Sequence, residues 1–171
     1  MVTEPLEAFI DPDGFTPRLI ALLSNALVWR ESGLMRERFG IGTNDWRVLS
    51  ALAMRPGMPA SEVSEFLVMN KAVVSKSVTA LAKRGLIALR DGPRGSRPMF
   101  LTGAGAELHD LLLPISMRGQ EIILDGLPAD EVERFNALLA EMLRRIQLAQ
   151  SAGAASAEPP ARGTAAGTAG A

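Results

Sequence analysis

Within residues 60–102, ASEVSEFLVMNKAVVSKSVTALAKRGLIALRDGPRGSRPMFLT, two runs of helical periodicity lie only a few residues apart. Val63, Phe66, Leu67, Met69, Val74, Val78 and Leu81 recur at helical spacing, so they predict one buried side. The helices are expected near 60–67 and 71–84, with Gly85 as the C-terminal stop. Asn70, Lys71, Ala72, Val73, Ser75, Lys76 and Thr79 are left facing outward. A helix whose exposed face is small, polar and cationic fits a DNA major groove, where long acidic side chains would be repelled by phosphate.

Beyond Gly85, Leu86 to Arg90 and Met99 to Leu101 read as short strands around the turn segment DGPRGSRP. Pro98 places the second at an edge, as a two-stranded wing allows. Helix, tight turn, helix and basic hairpin together make a winged helix-turn-helix. Arg94 and Arg97 on the hairpin are candidates to enter a minor groove or hold phosphates. The charge distribution agrees. Residues 55–102 hold eight Lys or Arg against three acids, a local balance of +5 in a chain whose net charge is −1. The remainder is therefore at −6, so a basic middle sits in an acidic frame.

Around this unit the chain reads as mainly α, with a small two- or three-stranded β wing and a helical dimerisation region. Residues 1–15 are a loose arm punctuated by Pro5, Pro12 and Gly14, in which Leu6, Phe9 and Ile10 could dock on a partner surface. A helix over 16–39 follows, with Thr16 as cap and Pro17 at the first helical position. A second opens at Thr43, turns Trp46, Val48, Leu49, Leu52 and Ala53 inward, and ends before Pro56-Gly57. With it the winged unit spans about 43–102. Thr102 caps a long helix with Pro114 inside it, where a kink or a lost hydrogen bond is expected. A last helix to about Gln150 carries the stripe Val132, Phe135, Leu138, Leu139, Met142, Leu143 and Ile146. The helices at 16–39 and 103–150 hold more apolar surface than one small core needs, which points to a homodimer. A twofold pair would set two recognition helices about one DNA turn, ~34 Å, apart and select a pseudo-palindromic operator. Residues 151–171, nearly all Ala, Gly, Ser, Thr and Pro, read as a disordered tail.

Several function classes are poorly served by these residues. The absence of Cys removes disulfides, thiolate zinc sites and a cysteine nucleophile. The single His109, without spaced carboxylates, is better read as a helix-surface or interface residue than as a metal ligand. Ser24, Ser50 and Asp110 form no hydrolase signature, and no phosphate-binding glycine loop is present. The expectation is a non-enzyme with no cofactor, no metal and no catalytic residues. No apolar run approaches the ~18 residues of a membrane span, and the N-terminus MVTEPLEAFIDPDG is acidic where a signal peptide would be basic, so a cytoplasmic protein is expected.

Three segments in order, TNDWRVLSALA, VVSKSVTALAKRGLI and LTGAGAELHDLLLP, resemble the multiple antibiotic resistance regulator (MarR) type of winged-helix transcription factors. The resemblance spans about residues 16–148. It implies a homodimeric, sequence-specific regulator of double-stranded DNA, a repressor relieved by a small-molecule effector. An adaptor that keeps the scaffold but has lost DNA binding is the alternative. Two features depart from the family pattern. Val68 stands in the turn where Gly is common, implying a less tight or slightly strained turn. The acid that usually lies just before the wing Arg is displaced to Asp91, so either Arg94 or Arg97 could enter the minor groove. Trp29 and Trp46 are candidates to line a cavity for an aromatic effector, with Arg47 pairing an effector carboxylate.

Overall fold

The computed structural model describes residues 1–156 apart from Pro5 and Phe9, and only the backbone of Arg94 and of residues 153–156. The element order is α1 (Thr16–Phe39), α2 (Thr43–Met54), α3 (Ala60–Phe66), α4 (Lys71–Lys83), β1 (Ile87–Leu89), a 3₁₀ turn (Pro93–Gly95), β2 (Met99–Leu101), α5 (Gly103–Leu124) and α6 (Ala129–Ser156). The chain divides into two compact units, the first ending at Ile123 and the second beginning at Leu124.

In the first unit the core belongs to the winged helix-turn-helix. Trp46, Val48, Leu49, Ala51 and Leu52 of α2, Val63 of α3, and Val74, Val78 and Leu81 of α4 are buried together. Met99 seals the cluster from β2, while α1 adds only Met35 and α5 only Leu112. Phe66, Leu67 and Met69, expected inside, are partly buried at its margin. Ala53 corrects the reading of α2: it is exposed and Ala51 is buried in its place. The inward stripe runs through Val48, Ala51 and Leu52, and the last turn before Arg55 swings to solvent. The entry to α1 is also corrected. Phe15 is the N-cap and makes no side-chain capping bond, so Thr16 is the first helical residue.

The wing is a two-stranded antiparallel sheet with Ile87 opposite Leu101 and Leu89 opposite Met99. Backbone bonds from Gly57 N–H to Met99 O (2.8 Å) and from Met99 N–H to Met58 O (3.3 Å) pair the α2–α3 connection with β2. At the base of the wing the Thr102 N–H donates to Leu86 O (3.1 Å), and the Thr102 hydroxyl accepts from Gly105 N–H (3.0 Å), capping α5. Helix α5 runs through Pro114 without a break. Its His109 ring meets the Trp46 ring of α2, centroids 5.3 Å apart, which joins α5 to α2.

Val68 is the one non-glycine residue with positive φ among the described residues, at 50°. It closes the α3–α4 turn, where Met69 N–H donates to Ser64 O (2.9 Å) and the Ser64 hydroxyl donates to Met69 O (2.6 Å). The left-handed region costs an L residue about 1–2 kcal/mol, and β-branching makes Val one of the worst occupants. Val68 is 55% exposed, so its side chain contributes little to the core. Val68→Gly should therefore stabilise the fold by up to about 1 kcal/mol, the relieved strain less the extra chain entropy of glycine. Urea unfolding checks this: a lowered midpoint would show that the Val68 side chain holds the turn.

The second unit is the helix α6 with its entry turn, in which Gly126 has φ 76° and Leu127 N–H donates to Leu124 O (3.1 Å). The helix continues to Ser156, six residues past Gln150, so residues 151–156 are not tail. Alanine-rich SAGAAS is good helix sequence despite its low complexity. The expected tail over 157–171 lies outside the described residues.

Candidate nucleic-acid interface

Helix α4 presents the face that its periodicity predicted. Asn70, Lys71, Ala72, Ser75, Lys76 and Thr79 are exposed and Val73 is half-buried. Ala72, Ser75, Lys76 and Thr79 fall at i, i+3, i+4 and i+7, one contiguous strip of small and cationic side chains. Asn70 is the N-cap, its Oδ1 accepting from Ala72 N–H at 2.8 Å, which leaves its amide hydrogens to reach outward. The first turn holds no acid, so the positive end of the helix and Lys71 act together. The Thr79 hydroxyl donates to Ser75 O at 2.9 Å, leaving its methyl and lone pairs toward solvent.

Between α4 and the wing lies an open groove of about 600 Å³ lined by Ser61, Ser75, Thr79, Ser96 and Arg97 among others. Arg97 is exposed at its rim, while the backbone of Arg94 sits in the 3₁₀ turn at the wing tip. The structure thus brings Ser75, Thr79 and Arg97 to one groove. Lys76 and Val73 line the opposite flank of the same helix. Not every cation of the basic segment faces this surface. Arg55 stacks on Phe66 at 4.5 Å and Arg90 on Phe100 at 5.0 Å, and Arg84 donates to the end of α1. Those three contribute field to the region while their head groups are held by the fold.

Residues 39–98, which run from the end of α1 to the last residue before β2, match the model of the MarR family. The winged helix-turn-helix segment of the chain is thus similar to the MarR family. Among relatives, the transcriptional regulator HosA of Escherichia coli O111:H- is 28% identical over 100 residues, covering 57% of this chain and 74% of HosA. A MarR-family regulator from Listeria monocytogenes, solved with a 26mer DNA, superposes with a TM-score of 0.74 at 18% identity over 77% of this chain and 89% of that one. The PcaV regulator of Streptomyces coelicolor, solved with its natural ligand, superposes with a TM-score of 0.64 at 24% identity over 84% and 99%. At these identities the solved structures share the chain path.

Within this MarR-type frame the three residues expected to form an effector site do not meet. Trp29 is 81% exposed on α1, whereas Trp46 is 6% exposed and points into the core against His109. The two lie on different faces of different helices, so a shared aromatic cavity is not formed and that expectation is corrected. Arg47 instead lines a cavity of about 610 Å³ between α1, α2 and α4, with Arg36, Asn44 and Lys76. Trp29 borders a separate shallow depression that shares Val28, Ser32 and Arg36. Nearby, α1 is tied to α5 by Arg30 Nη1 donating to Ile115 O (3.3 Å) and by the Ser116 hydroxyl against Glu31 (3.5 Å). Burial pushes the Glu31 carboxyl above its usual value, with Ser116, Arg30 and Arg47 opposing. Among the described residues no group of His and carboxylates is arranged to hold a metal ion, and no helix is long and apolar enough to cross a membrane.

Proposed function

We propose that the protein is a sequence-specific regulator of transcription that binds double-stranded DNA as a homodimer and represses until a small molecule relieves it. The observation that carries the DNA reading is the exposed strip on α4, small and cationic and free of acids, beside a groove that ends on a wing arginine. Ala72, Ser75 and Val73 offer little steric bulk to base edges, Lys71 and Lys76 attract phosphates, and Arg94 or Arg97 of the wing follows the backbone. Support for a dimer comes from α6, in which none of the described side chains is buried in the single chain. The cavity bordered by Arg36, Arg47 and Lys76 favours an anionic effector, such as an aromatic carboxylate, that would draw Lys76 away from DNA.

The test uses a duplex selected from random-sequence DNA by the wild-type protein. Replacing Lys71 and Lys76 together with Ala should weaken binding to every duplex and flatten the dependence of log affinity on log salt by about 1–2 units. A folded double variant with unchanged affinity and slope would remove α4 from the interface. A wild type that retains no duplex would favour the adaptor reading.

A further inference from the structure

The exit of the recognition helix, Arg84 to Leu86, is fastened on two sides. On one, Arg84 donates through Nη1 to Gly40 O (2.9 Å) and through Nη2 to Phe39 O (3.0 Å). These are carbonyls at the end of α1, where Gly40 turns left-handed at φ 64° and stops the helix. On the other, the Thr102 hydroxyl at the head of α5 donates to Gly85 O (2.8 Å), and Thr102 N–H donates to Leu86 O (3.1 Å). The last carbonyls of a helix have no partner within it and carry its negative end, so a cation there is favoured. A guanidinium is the one side chain whose planar fork can bridge two such carbonyls at once.

We propose that Arg84 is a positioning residue for DNA reading: it locks the C-terminal end of the recognition helix to the end of α1 and thereby sets the angle at which Lys71 to Thr79 meet a groove. The lever is long. Thirteen residues of α4 span about 20 Å, so a tilt of about 5° at the exit moves the N-terminal tip by roughly 2 Å, enough to misplace a base contact. Arg84 itself, with its head group on α1, is not a phosphate contact. The sequence places it in a basic run with Lys83, where it looks like one more cation for DNA.

This inference rests on the DNA reading above, and the experiment separates the two. Wild type, Arg84→Ala and Arg84→Lys are compared on the selected duplex and on a scrambled duplex of equal length, across a salt series, below each variant's unfolding transition. The expected result is a loss of about tenfold for Ala on the selected duplex, under twofold on the scrambled one, and an unchanged salt slope on both. Lys should not rescue, because one ammonium cannot bridge both carbonyls in the same plane. Equal losses on both duplexes with a slope reduced by about one and full rescue by Lys would make Arg84 a phosphate contact and overturn the proposal. A wild type that binds while both variants keep its selectivity overturns this inference alone; a wild type that binds no duplex overturns the DNA reading and this inference with it.

Discussion

Gly105→Ala is expected to destabilise the winged unit by about 3 kcal/mol, at the upper end of what overpacking a dense site costs. A Cβ on Gly105 would stand 1.9 Å from Leu86 O and 3.0 Å from Leu86 C. Neither side can give way cheaply. The Leu86 carbonyl is held by Thr102 N–H at 3.1 Å, and Gly105 N–H is itself bound to the Thr102 hydroxyl at 3.0 Å. Relief would require the first turn of α5 to withdraw from the end of α4, opening the joint that sets both the wing and the recognition helix. Gly33→Ala is the matched control, since nothing lies within 4 Å of its Cβ position in the middle of α1. It should be neutral or stabilising by up to about 1 kcal/mol from helix propensity. Urea unfolding of the two variants decides the matter: a Gly105→Ala midpoint close to wild type would mean that α5 does not pack on Leu86 in solution.

That close approach was not legible in the sequence, and the reason is general. Periodicity reports which face of a helix is apolar, so α1 to α6 and the outward strip Lys71 to Thr79 could be read from the chain. It does not report which backbone atoms of distant segments touch. Gly105 therefore looks like a weak helix residue, and Arg84 looks like surface charge. Side-chain chemistry without direction misled in the same way at Trp29 and Trp46: two aromatics suggest a ring-binding cavity, but one points into the α2–α5 contact and the other into solvent. Val68 was legible only through the family resemblance, which implies Gly at that place in the turn. A β-branched residue standing there implies strain, and φ 50° is where that strain sits. The extension of α6 over residues 151–156 was misjudged because low complexity was weighed above the helix propensity of alanine.

Charging the apolar stripe of α6 should have the largest effect on assembly. Helix α6 is 28 residues long, and none of its described side chains is buried in the single chain. Phe135, Leu138, Met142 and Ile146 recur at three- and four-residue spacing and are 43%, 57%, 43% and 54% exposed. In proteins most of the stability of an amphipathic helix comes from packing of its apolar face, so this stripe calls for a covering surface. Covering the remaining exposed area of four such side chains on each of two copies is worth on the order of 10 kcal/mol, ample for a stable pair. Leu138→Glu with Met142→Glu would place four carboxylates in that seam, two from each copy. Sedimentation at micromolar concentration should find wild type as a dimer and the double variant as a monomer or unfolded chain. Ala137→Glu, on the opposite side of the helix, should leave the dimer intact. Loss of the pair should also weaken binding to a two-half-site duplex by about a hundredfold or more, because the second recognition helix no longer shares the effective concentration of the first. A monomeric wild type, or a double variant that remains a dimer, would show that the stripe of α6 is not the seam and that the apolar residues of α1, Leu19, Ile20, Leu22 and Leu23, must be tried in its place.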